Sequence, residues 1–277
     1  MIDIGHLRQW IGREERQSEM LTPAVAERFN ATFNRRDDTG NGAIAPVMIH
    51  LCLAPPAVPT EELGPDGHPA RGGFLPPVPL PRRMWAGGAF TFHDDIRVGE
   101  TVTRRSVIQD VMVKEGRTGT LCFVTVEHRI DSDGRLVLTE RQDIVYRGAD
   151  RPGAVTKPVS AAARGEYRVT VEPSAALLFR YSALTFNGHR IHYDAPYVRE
   201  KEGYPGLIVH GPMQATMLVQ LAGKIRGSRP ALFEFRSLSP LFDDADFTLN
   251  ATEDGAALKL WTSYSDGPVA MVARAEW

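Results

Sequence analysis

An α+β fold built from a repeated unit, one helix followed by an antiparallel sheet, is the class this 277-residue sequence predicts. Three observations point to it. β-branched, partly alternating runs fill two stretches, one from Gly88 and one from Ala231, and helical patterns precede each. The stretches also resemble each other. AFTFHDDIRVGETV parallels LFEFRSLSPLFDDADF, and LCFVTVEHRIDSDGRLVLTERQDIV parallels LKLWTSYSDGPVAMVARAEW. Finally, both contain a Ser-Asp-Gly turn, at Ser132–Gly134 and at Ser265–Gly267.

Taken in order, Thr22 is a good N-cap and Pro23 suits the first helical position, predicting a helix to about Asn34. Residues Pro46–Pro81 are crowded with Pro and Gly, which resists regular structure, and a loop of that length in a compact protein is functional or disordered. The runs AFTFHDDI, TVTRRSVIQDVMVK, TLCFVTVEHRI and LVLTERQDIVYR are strands, the last two joined through Asp133-Gly134. Residues 148–165 read as a linker between units at 1–150 and 165–277. Then EYRVTVE is a strand, SAALLFRYSA a short helix, and HGPMQATMLVQLAGKIRG a strong one. Pro212 stands at its start, Met213, Met217 and Leu221 recur every four residues, and Gly227 follows its basic last turn. ALFEFRSL, DFTLNATE, ALKLWTSYSD and VAMVARAEW close the chain as strands.

Hydrophobic residues make up 43% and charged residues 24%, the profile of a globular domain, and a net charge of −2 gives no bulk drive toward nucleic acid or an anionic membrane. Cys52 and Cys122 stand apart from any Cys/His cluster, so neither a structural zinc nor a disulfide framework is expected. The N-terminus lacks a signal-peptide core and no run approaches the length of a membrane span, which leads us to expect a cytoplasmic protein.

The chemistry concentrates in YSALTFNGHRIHYD, Tyr181–Asp194. Imidazole is the side chain best suited to exchange protons near neutral pH. The pair His189 and His192 supplies two metal ligands where a site wants three, and no G-x-S-x-G elbow offers a nucleophile. A site in which His192 moves a proton while Asn187 orients water or substrate fits the residue types. His189 and Asp194 would either orient His192 or close the loop. Further on, Gly211 at a helix start leaves a free backbone N–H, a candidate oxyanion donor.

YSALTFNGHRIHYD followed by YPGLIVHGPMQATML resembles the hydratase motif of the MaoC-like acyl-thioester hydratases and dehydratases. The likeness is closest to their double hot-dog branch, which includes type 2 3-hydroxyacyl-thioester dehydratases and the mesaconyl-C4-CoA and itaconyl-CoA hydratases. It implies a double hot-dog, two antiparallel sheets each wrapped on a central helix. The N-terminal unit would be degenerate and bind substrate, and the C-terminal one would be catalytic. It also implies His192 as the catalytic histidine, Gly211 as the oxyanion-hole glycine, and no cofactor or metal. The sequence departs from many relatives in having Asn187 where they carry aspartate, and an amide cannot accept the proton of attacking water. His192 is therefore expected to act as base and then acid through one water, which Asn187 holds. The expected substrate is a short enoyl-CoA, itaconyl-CoA or mesaconyl-C4-CoA, hydrated to citramalyl-CoA. Arg82, Arg83, Arg190, Arg199 and Lys201 are candidates for its phosphates. Arg82, Arg83 and Trp85 would end the Pro-rich loop over the acyl pocket, an arginine meeting the terminal carboxylate, and His210 would join them in binding. The alternatives are a dehydratase of fatty acyl chains, a thioesterase, or an acyl-thioester-binding protein without turnover. Acyl-CoA is the expected partner, without nucleic acid or membrane, and a homodimer is compatible with the resemblance.

Overall fold

The computed structural model describes residues 2–116, 119–148 and 160–277. In chain order it contains α1 (Ile4–Leu7), β1 (Glu14–Met20), α2 (Pro23–Thr32), β2 (Arg82–Phe92), β3 (Thr101–Gly116), β4 (Gly119–Ser132) and β5 (Arg135–Arg147). There follow β6 (Tyr167–Val171), α3 (Ala175–Leu184), α4 (Ala195–Tyr197), α5 (Gly211–Arg226), β7 (Leu232–Ser237), β8 (Phe247–Asp254), β9 (Ala257–Tyr264) and β10 (Val269–Glu276). The α+β class holds. The two sheets expected are the halves of one continuous ten-stranded antiparallel sheet, ordered β1-β3-β4-β5-β2-β7-β10-β9-β8-β6. Read from the centre outward, the two halves have the same order, so β2 and β7 are counterparts that meet at the seam. They are the two strands whose sequences parallel one another.

Most elements sit where the pattern puts them. Thr22 caps α2, its Oγ1 accepting from the Val25 N–H, and Asp133 (φ 44°) and Gly134 (φ 80°) make the β4–β5 turn with both residues left-handed. Two differences have physical causes. β1 was not visible as a strand because EERQSEM has no apolar face; it is held as an edge by register pairing with β3. And β2 begins at Arg82 rather than near Ala89, because β5 is long enough to pair with it from Arg147 onward. Arg82, Arg83 and Trp85 are therefore strand residues and not loop. The expected linker, 148–165, lies for the most part outside the described residues.

The halves differ in their helices. Before each helical segment a short extended piece makes an isolated bridge, Ile44 to Arg97 and Ile208 to Phe242. After Ile208 the chain enters the sixteen residues of α5, packed on β7, β8, β9 and β10. After Ile44 it makes, apart from the short Thr60–Glu62 turn, a single tight helical turn, Ile49–Cys52. Ala54 (φ 47°) and then Pro55 and Pro56 end it there, since proline supplies no N–H and pushes the preceding residue out of helical backbone. One core serves both halves, with Phe29 of α2, Tyr181 of α3 and Met213 and Leu218 of α5 beside Phe90 and Phe233 at the seam. A smaller cluster, Leu7, Val78, Ile108, Val124 and Tyr146, lies under the Pro-rich segment.

The seam tolerates no side chain at Gly88. A Cβ there would lie 2.3 Å from the Arg141 carbonyl oxygen and 3.0 Å from the Phe235 ring. Gly88→Ala should therefore cost about 2–4 kcal/mol, a drop in Tm on the order of 5–10 °C by calorimetry. Gly73→Ala, with nothing within 4 Å, should leave Tm unchanged.

Candidate active site

The catalytic-type residues gather where three pieces of chain meet: the loop from Asn187 to Asp194, the start of α5, and the end of β2 that projects past β7. Pairing of β2 with β7 begins at Gly87, so Arg82–Trp85 have no strand partner on that side. The N-terminus of α5 abuts this notch. A Cβ placed on Gly211 would lie 3.7 Å from Trp85 Cε3 and 4.0 Å from Ser237 Oγ, ordinary contact distances. Packing alone does not demand glycine there. The Gly211 N–H, in the first turn, has no intrahelical acceptor, Pro212 has no N–H, and His210 does not cap the helix with its side chain. An unspent donor thus stands at the positive end of a sixteen-residue helix dipole.

His192 is buried at the end of a tight turn, Arg190–His192. Its Nδ1 lies 2.7 Å from the Ile208 carbonyl oxygen, which can only accept, so Nδ1 carries the hydrogen and Nε2 the lone pair. Burial pushes its pKa down to about 4, against the opposing pull of the Ile208 carbonyl and with a further push from His68. At neutral pH His192 is an unprotonated base of fixed tautomer. Its ring stacks on that of His210 at 3.6 Å and meets His189 edge-on at 5.5 Å.

The remaining expected residues separate. Asn187 Oδ1 accepts from the His189 N–H at 3.0 Å, closing the loop and leaving Nδ2 as the donor group. Asp194 does not orient His192. It caps α4 through the Tyr197 N–H and holds Arg190, whose Nε and Nη2 donate to it at 2.9 and 2.8 Å. Arg190 also stacks over Tyr197 at 4.1 Å, so its guanidinium is spent on shaping the loop. His210, expected at the substrate, is fully enclosed behind His192. Arg82 donates from Nη2 to the Glu202 carbonyl at 2.7 Å and lies 5.1 Å over Tyr204, tying β2 to the other half. Arg83, on the same strand, acts electrostatically on both His68 and His189. Arg199 Nε donates to the Pro205 carbonyl at the surface.

The sequence reading missed Asp66 and His68. Gly64–His68, within the Pro-rich segment, docks on the His192 loop. The Arg190 N–H donates to the Asp66 carbonyl at 2.9 Å and Arg190 Nη1 to the Pro65 carbonyl at 3.0 Å. Gly67 (φ 85°) crosses so close to Gly188 that a Cβ would lie 2.0 Å from the Gly188 oxygen. His68 then rests on His189 with ring centroids 4.0 Å apart, its Nδ1 bonded to Asp66 Oδ2 at 3.1 Å. Burial holds both imidazoles below their ordinary range, and the bonds from His68 hold the Asp66 carboxyl low despite its burial. Ligating atoms of Asp66, His68 and His189 fall within 4.8 Å of one another. Asp66 is already engaged with His68, however, and the nearby Arg83 guanidinium opposes a cation. Pro65-Asp66-Gly67 is a turn signature, but nothing in it says where the turn docks.

An unprotonated imidazole stacked on the residue that precedes a long helix, in a fold of two like halves joined through one sheet, is an arrangement that can exchange a proton, and the fold is of the double hot-dog class. A family model described as hydroxyacyl-thioester dehydratase type 2 matches residues 48–243. The chain is 43% identical over 271 residues to a mesaconyl-C(4)-CoA hydratase of Chloroflexus aurantiacus, with 96% of each covered. Its fold is similar to a MaoC-like dehydratase from Phytophthora capsici, with a TM-score of 0.70 over 99% of each chain at 12% identity. It is also similar to a double hot-dog protein of Mycobacterium tuberculosis, at 0.57 over 96% of each and 14% identity. The chain belongs to the hydroxyacyl-thioester dehydratase type 2 family. Among the described residues no helix is long and apolar enough to cross a membrane.

Gly67→Ala should lift the Gly64–His68 turn from the His192 loop. The expected loss is about 100-fold in kcat, the usual consequence of displacing a catalytic loop by an ångström, with Tm lowered by only a few degrees.

Proposed function

We propose that this protein is a hydro-lyase that adds water across the 2,3 double bond of a short enoyl-CoA carrying a second carboxylate, mesaconyl-C4-CoA being the first choice. The observation that carries this reading is the neutral, fixed-tautomer His192, whose ring lies on His210, the residue directly before the Gly211 N–H that no helical carbonyl accepts. The 43% identity to a mesaconyl-C(4)-CoA hydratase over nearly the whole chain supports the substrate class.

The thioester carbonyl oxygen accepts from the Gly211 N–H, which draws electron density from C3. A water, held by the Asn187 Nδ2 group, gives a proton to His192 Nε2 as its oxygen bonds to C3. The π electrons move to C2 and the carbonyl, forming an enolate whose oxygen bonds more strongly to the Gly211 N–H than the carbonyl did. The imidazolium then returns its proton to C2, giving citramalyl-CoA, and His192 is neutral again. Dehydration is the reverse. The roles divide between the halves: the C-terminal unit, 165–277, performs the chemistry, and the N-terminal unit, 1–150, contributes Trp85 and Arg83 to acyl binding. Of the paired arginines, Arg82 is tied to Glu202 and Tyr204, and Arg83, which lies between the buried Tyr146 hydroxyl and the imidazoles, is the one we assign to the carboxylate.

Incubation with mesaconyl-C4-CoA, itaconyl-CoA and crotonyl-CoA, followed by mass spectrometry, should show gain of one water, fastest for a dicarboxylic substrate and lost in His192→Ala. Release of free CoA instead would make the protein a thioesterase. Arg83→Ala should remove the preference for the dicarboxylic substrate over crotonyl-CoA, a change of about 100-fold in relative kcat/KM, while Arg82→Ala keeps it.

The pH profile provides a separate check. His192 is a base only while unprotonated, and the groups around it are the neutral His68, His189 and His210, with Arg83 beyond them. kcat should therefore be level from about pH 8 to about pH 5 and fall about tenfold per unit below about pH 4. An acid limb near pH 6.5, the ordinary imidazole value, would contradict the desolvated base.

A further inference from the structure

Of the buried titratable side chains of the site that the chemistry above leaves without a task, His210 is the one in face-to-face contact with His192. His210 stands immediately before α5, enclosed on all sides, with its ring edge toward Tyr181 at 4.9 Å. Its face lies on His192, the ring centroids 3.6 Å apart and the planes within 17°. Nε2 shares a hydrogen bond of 2.8 Å with Ser182 Oγ, and Nδ1 has no partner among the described residues. We propose that His210 is a positioning residue that acts through His192, holding the plane of its imidazole and stabilising the imidazolium that forms while His192 carries the proton of water. This inference rests on the hydratase reading.

Two physical arguments support it. The bond from His192 Nδ1 to Ile208 fixes one edge of the ring and leaves it free to swing about that bond. A second flat ring in van der Waals contact removes the swing, so Nε2 keeps its direction. The second argument is electrostatic. Two neutral imidazoles gain little by stacking, but once His192 is protonated its neighbour presents a π face to a cation. That gain exists only in the charged state, which makes it differential and therefore catalytic in effect.

The device works only if His210 stays neutral. Burial and the neighbouring His192 and His189 keep it so, and Tyr181, the other titratable group against it, is neutral as well. Of the carboxylates, Asp66 sits beyond His189 on the far side, and the buried Glu140 acts on Tyr181 and not directly on His210. Ser182 sets the geometry from both ends. Its hydroxyl anchors His210, and its carbonyl accepts the Asn187 N–H at 2.8 Å, where the catalytic loop begins.

The test compares His210→Leu, which loses the flat face, with His210→Phe, which keeps it. Ser182→Ala, which frees the ring without emptying the site, guards against misfolding of the first two. His210→Leu should lower kcat on mesaconyl-C4-CoA roughly 3- to 30-fold, the range of a cation–π contact, with KM changed less than about twofold. His210→Phe should keep most of kcat, and Ser182→Ala should fall between. In ¹⁵N-histidine-labelled protein, His192 should protonate at lower pH in His210→Leu than in wild type, and at nearly the wild-type pH in His210→Phe. Equal impairment of Leu and Phe variants with the His192 titration unmoved overturns the proposal, as does a loss confined to KM. The titration needs no substrate, so it decides the role of the stack even if wild type hydrates none of the acyl-CoAs offered.

Discussion

The pairing of β2 with β7 is the constraint on which the site depends. It joins two like half-sheets through their matching strands, in register from Gly87 opposite Arg236 to Thr91 opposite Leu232. β2 runs five residues beyond that register, and the overhang has no strand beside it. Into that gap comes the N-terminus of α5. Trp85 thus comes against Gly211, and Arg83 comes near enough to act electrostatically on His189, although each pair is more than a hundred residues apart in sequence. Gly87 and Gly88 make the close approach of the strands feasible, since a Cβ on either would lie under 3 Å from a backbone oxygen. The Phe90, Phe233 and Phe235 rings, stacked 5.8–6.3 Å apart, then seal the seam with apolar contact.

Electrostatically the site is an assembly of neutral imidazoles. His68, His189, His192 and His210 follow one another in ring contact, and burial drives each below its ordinary range. This clarifies the amide at position 187. A carboxylate there, close to His192, would favour the imidazolium and raise its pKa, converting the base into half of a buried ion pair. Asparagine keeps a hydrogen-bond donor there while adding no charge. The carboxylate that does approach, Asp66, is screened from His192 by His68 and His189.

The elements with regular periodicity were legible in the sequence: α2, α3, α5 and the strands from β3 onward, because apolar spacing and capping residues determine them locally. The loop from Asn187 to His192 and the helix start at Gly211 were legible as elements, and the structure brings them together through the contact of His192 with His210. What was not legible depends on partners distant in sequence. β1 has a polar sequence and exists because β3 offers it an edge. The first seven residues of β2 are a strand because β5 extends alongside. The roles of Arg190 and Asp194 could not be read from their types, since a cation and an anion four residues apart suit a substrate site and a loop clamp equally well. Asp66 and His68 were hidden for the same reason: a Pro-Asp-Gly turn announces its own shape and not its docking place.

The asymmetry of the halves explains why a repeated fold presents this one site. The pieces leading into the two helical segments bridge to the sheet in the same way, at Ile44 and at Ile208. Only the second continues into a long helix, with a dipole and a free N–H at its start. In the first, Pro55 and Pro56 stop the helix after one turn and release the chain into the segment that carries Gly64–His68. That segment crosses the His192 loop at Gly188, where Gly67 leaves no room for a side chain. The proline pair therefore does two things with one local restriction. It removes a second helix terminus, and it supplies the wall that closes the first.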